Sequence, residues 1–340
     1  MPRLYIEEYT HILAGRNVSI ACREGVLRDH FAAIINDIKF LNRQGIITTL
    51  FHNMANRFAN RQHFRTLANR LPETRIIRIP SDTDFYAAIL EKINFRKPVF
   101  KLIFLERKFL IDLKGRRLNT LTTRGVRDTL QGYGHLIANA NFRAVLDKIC
   151  NFIETGHLDR VHILPARKHT IKHELFTVEG TGTLIANNFE ESFLPIVSKA
   201  DEQLTVGILN LYKIRGYLKP RDSAYIASHR ENFYMTQIDK IAVGCVELKP
   251  IDAQTAELGA LAISVRFRGQ RVGVFTVKAF IAEARKRGYK RIISLTKNPR
   301  LQTLYLSLGF VRQTPLKYAE RQAQSPGVPM FVKNIHHYHD

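Results

Sequence analysis

Acidic side chains are scarce in this chain: 30 Asp and Glu stand against 52 Lys and Arg, a net charge of +22 over 340 residues. The excess divides evenly between residues 1–200 and 201–340, so it is not a basic tail on a neutral body. Such a surface suits nucleotide-like or dicarboxylate ligands, or nucleic acid, and charge alone does not separate them. Cysteine is scarcer still. Cys22, Cys150 and Cys245 lie far apart with no CxxC pair, which argues against a zinc ribbon and a disulfide framework. No metal is expected. No stretch approaches the ~20 apolar residues that span a bilayer. The opening "MPRLYIEEYTHILAG" carries two acids where a secretory leader needs positive charge, so a cytoplasmic location with no membrane partner is expected. Interleaved aromatic–basic platforms and helix-turn-helix signals are also missing, which disfavours nucleic acid as the partner.

What is present is an ordinary globular composition, 45% apolar and 24% charged, in a chain long enough for two domains. In the C-terminal third, "IAVGCVEL" (241–248) and "AELGALAISV" (256–265) read as strands. A basic, Gly-containing turn over 266–272 leads into a helix from Gly273 to Arg287, with Val274, Val277, Ile281 and Ala284 on one face and Gly288 as its stop. "YKRIISLT" is a further strand, "NPRLQTLYLSLGF" a loop, short helix and turn, and "MFVKNI" is expected to close the sheet. Three arginines and two glycines over 266–273, at a strand-to-helix turn, suit a helix start that binds a phosphate.

That order resembles the GNAT acetyltransferase superfamily. Its CoA-binding signature, Arg/Gln-x-x-Gly-x-Gly/Ala, is met by Arg268-Gly269-Gln270-Arg271-Val272-Gly273, with Arg271 in place of the first motif glycine. Asn298, seven residues before Tyr305, and "YLSLGF" (305–310) match its second signature, Tyr-x-x-x-Gly-Phe. The resemblance implies acetyl-CoA as cosubstrate, its pyrophosphate held at 268–273 and its thioester arm beside Leu261-Ala262-Ile263, with Asn298 contributing. A neutral amine must attack the thioester, so a base and an acid are needed. Glu257 is the candidate base, Tyr305 the candidate acid, and Thr296 matches a hydroxyl residue near the reacting group.

The N-terminal part alternates strands and helices: "RNVSIAC" (16–22), a helix over 27–45, "IITTLFH" (46–52), two strands with a Gly turn in "VFKLIFLE" and "FLIDLKGRR", a helix over 142–156, the strand "DRVHILP" (159–165) and a helix over 167–176. That rhythm argues for a sheet layered by helices. "RVHILPARKHTIKHELFTVEGTGTLI" (160–185) resembles the C-terminal lobe of the amino acid kinase fold. The kinase glycines are missing: "ACREGVL" stands for Lys-x-Gly-Gly and "HNMANRF" (52–58) for His-Gly-Gly-Gly, so ATP phosphates lose their backbone cradle.

An α/β chain with a degenerate amino acid kinase-like αβα sandwich (1–200) and a GNAT α+β acyltransferase domain (201–340) resembles the bacterial N-acetylglutamate synthase family. The resemblance implies acetyl transfer to the α-amine of L-glutamate, an L-arginine effector bound at His162, Glu174 and Gly182, and a homo-oligomer. Arg221 and Lys333 match substrate-binding positions of that family. The family's Arg-x-Ser before the last strand is absent; "SPGVPMFVK" carries Pro326, Gly327 and Val328 there, removing polar groups a dicarboxylate needs. Acetylation of another small amine, and a non-catalytic arginine- or CoA-sensing role, therefore stay open beside glutamate.

Overall fold

The computed structural model describes residues 5–54, 67–93, 99–112, 114–133, 140–177, 179–213, 218, 221–267, 270–313 and 318–335. It divides into two compact units, Met1–Phe189 and Glu190–Asp340. In the first, β1 (Asn17–Cys22), β2 (Ile47–His52), β3 (Thr74–Arg78), β4 (Val99–Glu106), β5 (Thr120–Thr122), β6 (Leu158–Pro165) and β7 (Thr183–Ala186) form one sheet. Their order is β3-β2-β1-β4-β6-β7-β5. From β3 to β6 every pairing is parallel, and β7 runs against β6. β4 and β6 are buried almost end to end, as near-continuous apolar strands covered on both faces must be.

The helix expected over 27–45 is two, Glu24–Asp29 and Phe31–Arg43, broken at His30 with φ −122° and ψ 20°. The break lets Val26 and Leu27 bury on the short helix while Ile34, Ile35, Ile38 and Leu41 bury on the long one. Of the two strands expected in "VFKLIFLE" and "FLIDLKGRR", the first is β4, and the second is not a strand among the described residues. It holds one isolated bridge, Ile111 to Arg117, closed by the Asp112 side chain, which accepts from Arg116 N at 2.8 Å.

In the second unit β8 (Glu191–Pro195), β9 (Phe233–Ile238), β10 (Ile241–Asp252), β11 (Thr255–Ile263), β12 (Arg291–Leu295), β13 (Val311–Gln313) and β14 (Met330–Asn334) form the other sheet. Their order is β13-β14-β12-β11-β10-β9-β8. β8 lies ahead of the expected junction at 200, yet it pairs with β9 and belongs to this sheet. "MFVKNI" is not the closing edge, because β13 adds outside it. Among the described residues β11 and β12 are the one parallel pair of this sheet, joined by a crossover through helix Val272–Lys286. That helix buries Val277, Phe280, Ile281 and Ala284 against Val246, Leu248, Ala256 and Leu258 of the sheet. Val274, expected on the buried face, is half-exposed.

His52, at the end of β2, is fully buried, and its Nδ1 accepts from Met54 N at 3.2 Å, the role of a neutral ring. Burial, aided by Arg78, pushes its pKa down from 6.5 to about 4. Between those values the unfolded chain binds a proton the folded chain does not, so stability falls as pH drops through that window. The loss should approach about 3 kcal/mol by pH 4. Urea midpoints measured from pH 7 to 4 should show a slope that His52→Gln flattens.

Candidate active site

The geometry of the second unit turns on how briefly β11 and β12 stay together. Their pairing covers Thr255–Arg291, Ala256–Ile292 and Glu257–Ile293 and then stops, so the sheet splays from Leu258 onward. A bulge in β11 deepens the divergence. Cys245 faces Ala262 and Glu247 faces Gly259, leaving Ala260 and Leu261 opposite Val246. Ala260 has φ +49°, a left-handed conformation that an L side chain disfavours. Bulges of this kind bend a strand and re-aim its side chains.

A cleft of about 890 Å³ lies at the open side of the splay, lined by Leu261, Ile263, Arg271, Val272, Gly273 and Asn298, with Tyr212, Val274 and Arg300 among its other walls. It gathers most of the expected CoA-binding set. Ala262 instead faces Cys245 across the ladder and is buried, and Gln270 is not part of the lining. Arg268 and Gly269 lie outside the described residues. Helix Val272–Lys286 begins at the cleft, and its N-cap residue, Arg271, makes no side-chain capping bond. The first N–H groups of that helix thus face a cavity with Arg271 and Arg300 in its wall, an arrangement suited to a pyrophosphate. Arg271 stands at φ +58°, the conformation a glycine takes without strain. A methyl on Gly273 would stand 3.4 Å from Leu304 Cδ2, an ordinary contact, so no clash among the described residues demands glycine there.

On the opposite face lie two ion pairs. Glu257, in the last β11 residue paired to β12, is clamped by Arg321, which donates from Nε to Oε2 at 2.5 Å and from Nη2 to Oε1 at 2.6 Å. Arg221 does not stand free for a substrate carboxylate. It holds Glu247 through Nε at 2.8 Å and Nη2 at 2.6 Å, and Tyr225 Oη donates to the same carboxylate at 2.6 Å.

Tyr305 is buried with Phe310 and Phe331 against its ring and does not line the cleft. Its hydroxyl meets Ser294 Oγ at 3.1 Å, and Ser294 Oγ reaches the Leu258 carbonyl at 2.8 Å. Burial raises the phenol well above its usual range, Ser294 opposes this, and the Glu257 charge adds to it. The phenol therefore stays protonated beside the fork of the splay. Thr296 and Asn298 shape the loop after β12: Asn298 N donates to Thr296 Oγ1 at 3.1 Å, and Asn298 Oδ1 caps helix Pro299–Ser307 at Arg300 N. Lys333, on β14 opposite Ile292, is outside the cleft lining.

In the first unit, His162, Glu174 and Gly182 do come together. His162 Nδ1 and Glu174 Oε1 are 2.5 Å apart, and Glu174 Oε2 accepts from Thr181 N at 2.6 Å and Gly182 N at 3.1 Å. A Cβ on Gly182 would fall 2.3 Å from the Ile163 carbonyl oxygen, so glycine alone fits. These residues tie helix Thr170–Phe176 to the turn before β7.

Glu247, Tyr225, Ser294 and Arg321 were missed from sequence. An acid inside the apolar strand "IAVGCVEL" was the available signal for Glu247, since a buried carboxylate needs a cation. Arg321 gave none, because it arrives from a short helix far along the chain.

Residues 203–310 match the acetyltransferase (GNAT) family, so the second unit carries a GNAT domain. An amino-acid acetyltransferase of Shewanella oneidensis is 32% identical over 185 residues, 53% of this chain and 39% of that protein. One from Ralstonia nicotianae is 28% identical over 217 residues, 63% of this chain and 47% of that protein. The matched region thus spans less than half the length of either relative. N-acetylglutamate synthase from Neisseria gonorrhoeae, solved with coenzyme A and L-arginine, aligns over 98% of both chains at 17% identity with a TM-score of 0.52. That likeness is one of fold: an amino acid kinase-like sandwich followed by a GNAT domain, as the signatures anticipate.

Replacing Arg271 by glycine should separate strain from charge. Removing the left-handed side chain should raise stability by up to ~1 kcal/mol. Losing a cation at the helix start should weaken CoA binding about 2- to 5-fold. Thermal midpoints and titration calorimetry with CoA read the two effects separately.

Proposed function

We propose that this chain is an amino-acid N-acetyltransferase that moves acetyl from acetyl-CoA to the α-amine of L-glutamate by direct attack on the thioester. The observation that carries this reading is the splayed, bulged β11–β12 pair with a basic helix start at its mouth. The amino-acid acetyltransferases similar in sequence support it. Acetyl-CoA, when bound, supplies an acetyl group already activated as a thioester. The first N–H groups of helix Val272–Lys286, with Arg271 and Arg300, would hold its phosphates, and Leu261 and Ile263 would flank its arm.

Glu257 takes a proton from the acceptor ammonium, so that the nitrogen lone pair can form the N–C bond as the C–S bond breaks. Tyr305, kept protonated by burial, donates toward the departing sulfur, and Ser294 fixes its hydroxyl. The second amine proton leaves to solvent as the amide forms. Thr296 and Asn298 shape the loop flanking the reacting group, and Lys333 is proposed to attract an acceptor carboxylate, whereas Arg221, expected in that role, is engaged by Glu247.

The first unit is proposed to act in regulation, with L-arginine as effector at the His162–Glu174–Gly182 cluster, and the chain to work as a homo-oligomer in the cytoplasm. Without the phosphate-loop glycines it is proposed to be inactive as a kinase.

Acetyl-CoA-dependent thiol release, screened over all amino acids and several polyamines, tests the reading. Glutamate should turn over, and Tyr305→Phe should lower kcat by about 10²-fold or more. Turnover only on another amine would replace the acceptor. CoA binding with no turnover on any acceptor would make the protein a sensor.

A further inference from the structure

Glu247 and Glu257 project from the same face of neighbouring strands, since Glu247 faces Gly259 and Lys249 faces Glu257 across the β10–β11 ladder. Their carboxylates are held differently. Glu247 receives three donors, two from Arg221 and one from Tyr225, with 1% of its side chain exposed. Among the described residues the Glu257 carboxylate has a single partner, Arg321, and that partner takes both oxygens. A carboxylate with both oxygens bound to one guanidinium is poorly placed to accept an amine proton. If Arg321 lets go, Glu257 becomes a free base at the fork of the splay.

Arg321 cannot let go for nothing. Its side chain is 14% exposed and that of Glu257 7% exposed, and separating a buried pair strands two charges. A second carboxylate would re-pair the guanidinium, and a proton taken from the acceptor's ammonium would neutralise Glu257, so that neither charge stays stranded. The segment around Arg321 suits such an exchange. Arg321 Nη1 donates to Ser325 Oγ at 3.1 Å, so a hydroxyl stands beside the fork. Gln322 Nε2 binds the carbonyls of Ser325 and Val328 at 2.9 and 3.0 Å and fixes the loop that lacks the Arg-x-Ser pair.

We infer that Arg321 is a positioning residue that makes Glu257 available only to acceptors bearing a carboxylate: the acceptor's carboxylate takes the guanidinium from Glu257, and Glu257 then receives the proton of the acceptor's amine. The acceptor class is therefore amino carboxylates. Amines without a carboxylate leave the pair closed. This rests on the acetyl transfer proposed above and goes beyond it, assigning selectivity to a residue outside both signatures.

The test compares an amino acid acceptor with its α- and side-chain carboxamides in the full-length enzyme, by thiol release. The wild type should favour the dicarboxylate over at least one of its amides by about 10²-fold in kcat/KM. In Arg321→Gln this preference should collapse to within a few-fold, and Arg321→Lys should restore part of it. Glu257→Gln gives an independent readout: with no internal competitor for Arg321, KM for the carboxylate acceptor should fall while kcat falls by about 10²-fold. A residue that only supports the fold would not lower KM. CoA affinity unchanged in all variants shows that they are folded. If the wild type turns over but the preference persists in Arg321→Gln, or KM rises in Glu257→Gln, the exchange is overturned while acetyl transfer stands. No turnover by the wild type on any acceptor would remove both.

Discussion

The second unit is organised by a pairing that ends after three residues. β11 and β12 are parallel, so a crossover must join them, and the chain supplies helix Val272–Lys286. One end of that helix is packed into the core through Phe280 and Ala284, while its start opens on the cleft. Had the two strands stayed paired, ladder bonds would have filled the gap that the cleft occupies. The bulge at Ala260 and Leu261 works in the same direction by bending β11. Backbone strain at Ala260 and Arg271 is therefore concentrated on either side of the cleft, where left-handed conformations of non-glycine residues commonly coincide with function.

The same gap explains why charged groups sit inside an otherwise apolar sheet. A carboxylate in a low-dielectric interior persists as an anion only if a cation and hydrogen bonds replace its water. Glu257 obtains that through a bidentate arginine, and Glu247 through an arginine on one oxygen and a tyrosine on the other. The two pairs are alike in charge and unlike in saturation. Tyr225 completes Glu247 as a finished structural unit. Glu257 depends on one partner, and this difference separates a group that holds strands together from one that can change partners.

The sequence made the elements legible where apolar spacing is strong. β4, β6, β10 and the helix after β11 fall close to their expected bounds, because burial on one or two faces imposes the period directly. The break at His30 and the single bridge at Ile111–Arg117 were not legible, since both depend on which surfaces the flanking elements find to pack against. At the site, Leu261, Ile263, Arg271, Val272, Gly273 and Asn298 were found through signatures and do line one cleft. The environments of Arg221 and Glu257 were not foreseen. Both were read as free to meet substrate, and both are engaged by partners that sequence distance hides, Glu257 by an arginine 64 residues away.

A net charge of +22 remains to be reconciled with two ion pairs, at Glu247 and Glu257, whose own charges cancel. The two statements act at different ranges. The surplus of lysine and arginine sets up a field that draws anions toward the protein from beyond a Debye length only weakly, and salt suppresses it further. It would favour a polyphosphate cosubstrate and an acidic acceptor over cationic amines, without telling one amino acid from another. Discrimination requires a short-range event in which the right ligand does something the wrong one cannot. In this chain the cations facing the sheet at Glu247 and Glu257 are already neutralised, so attraction alone offers an acceptor nothing there. What an amino carboxylate brings is an anion that can replace Glu257 on Arg321, and the fork of the splay is where such a replacement would have chemical effect.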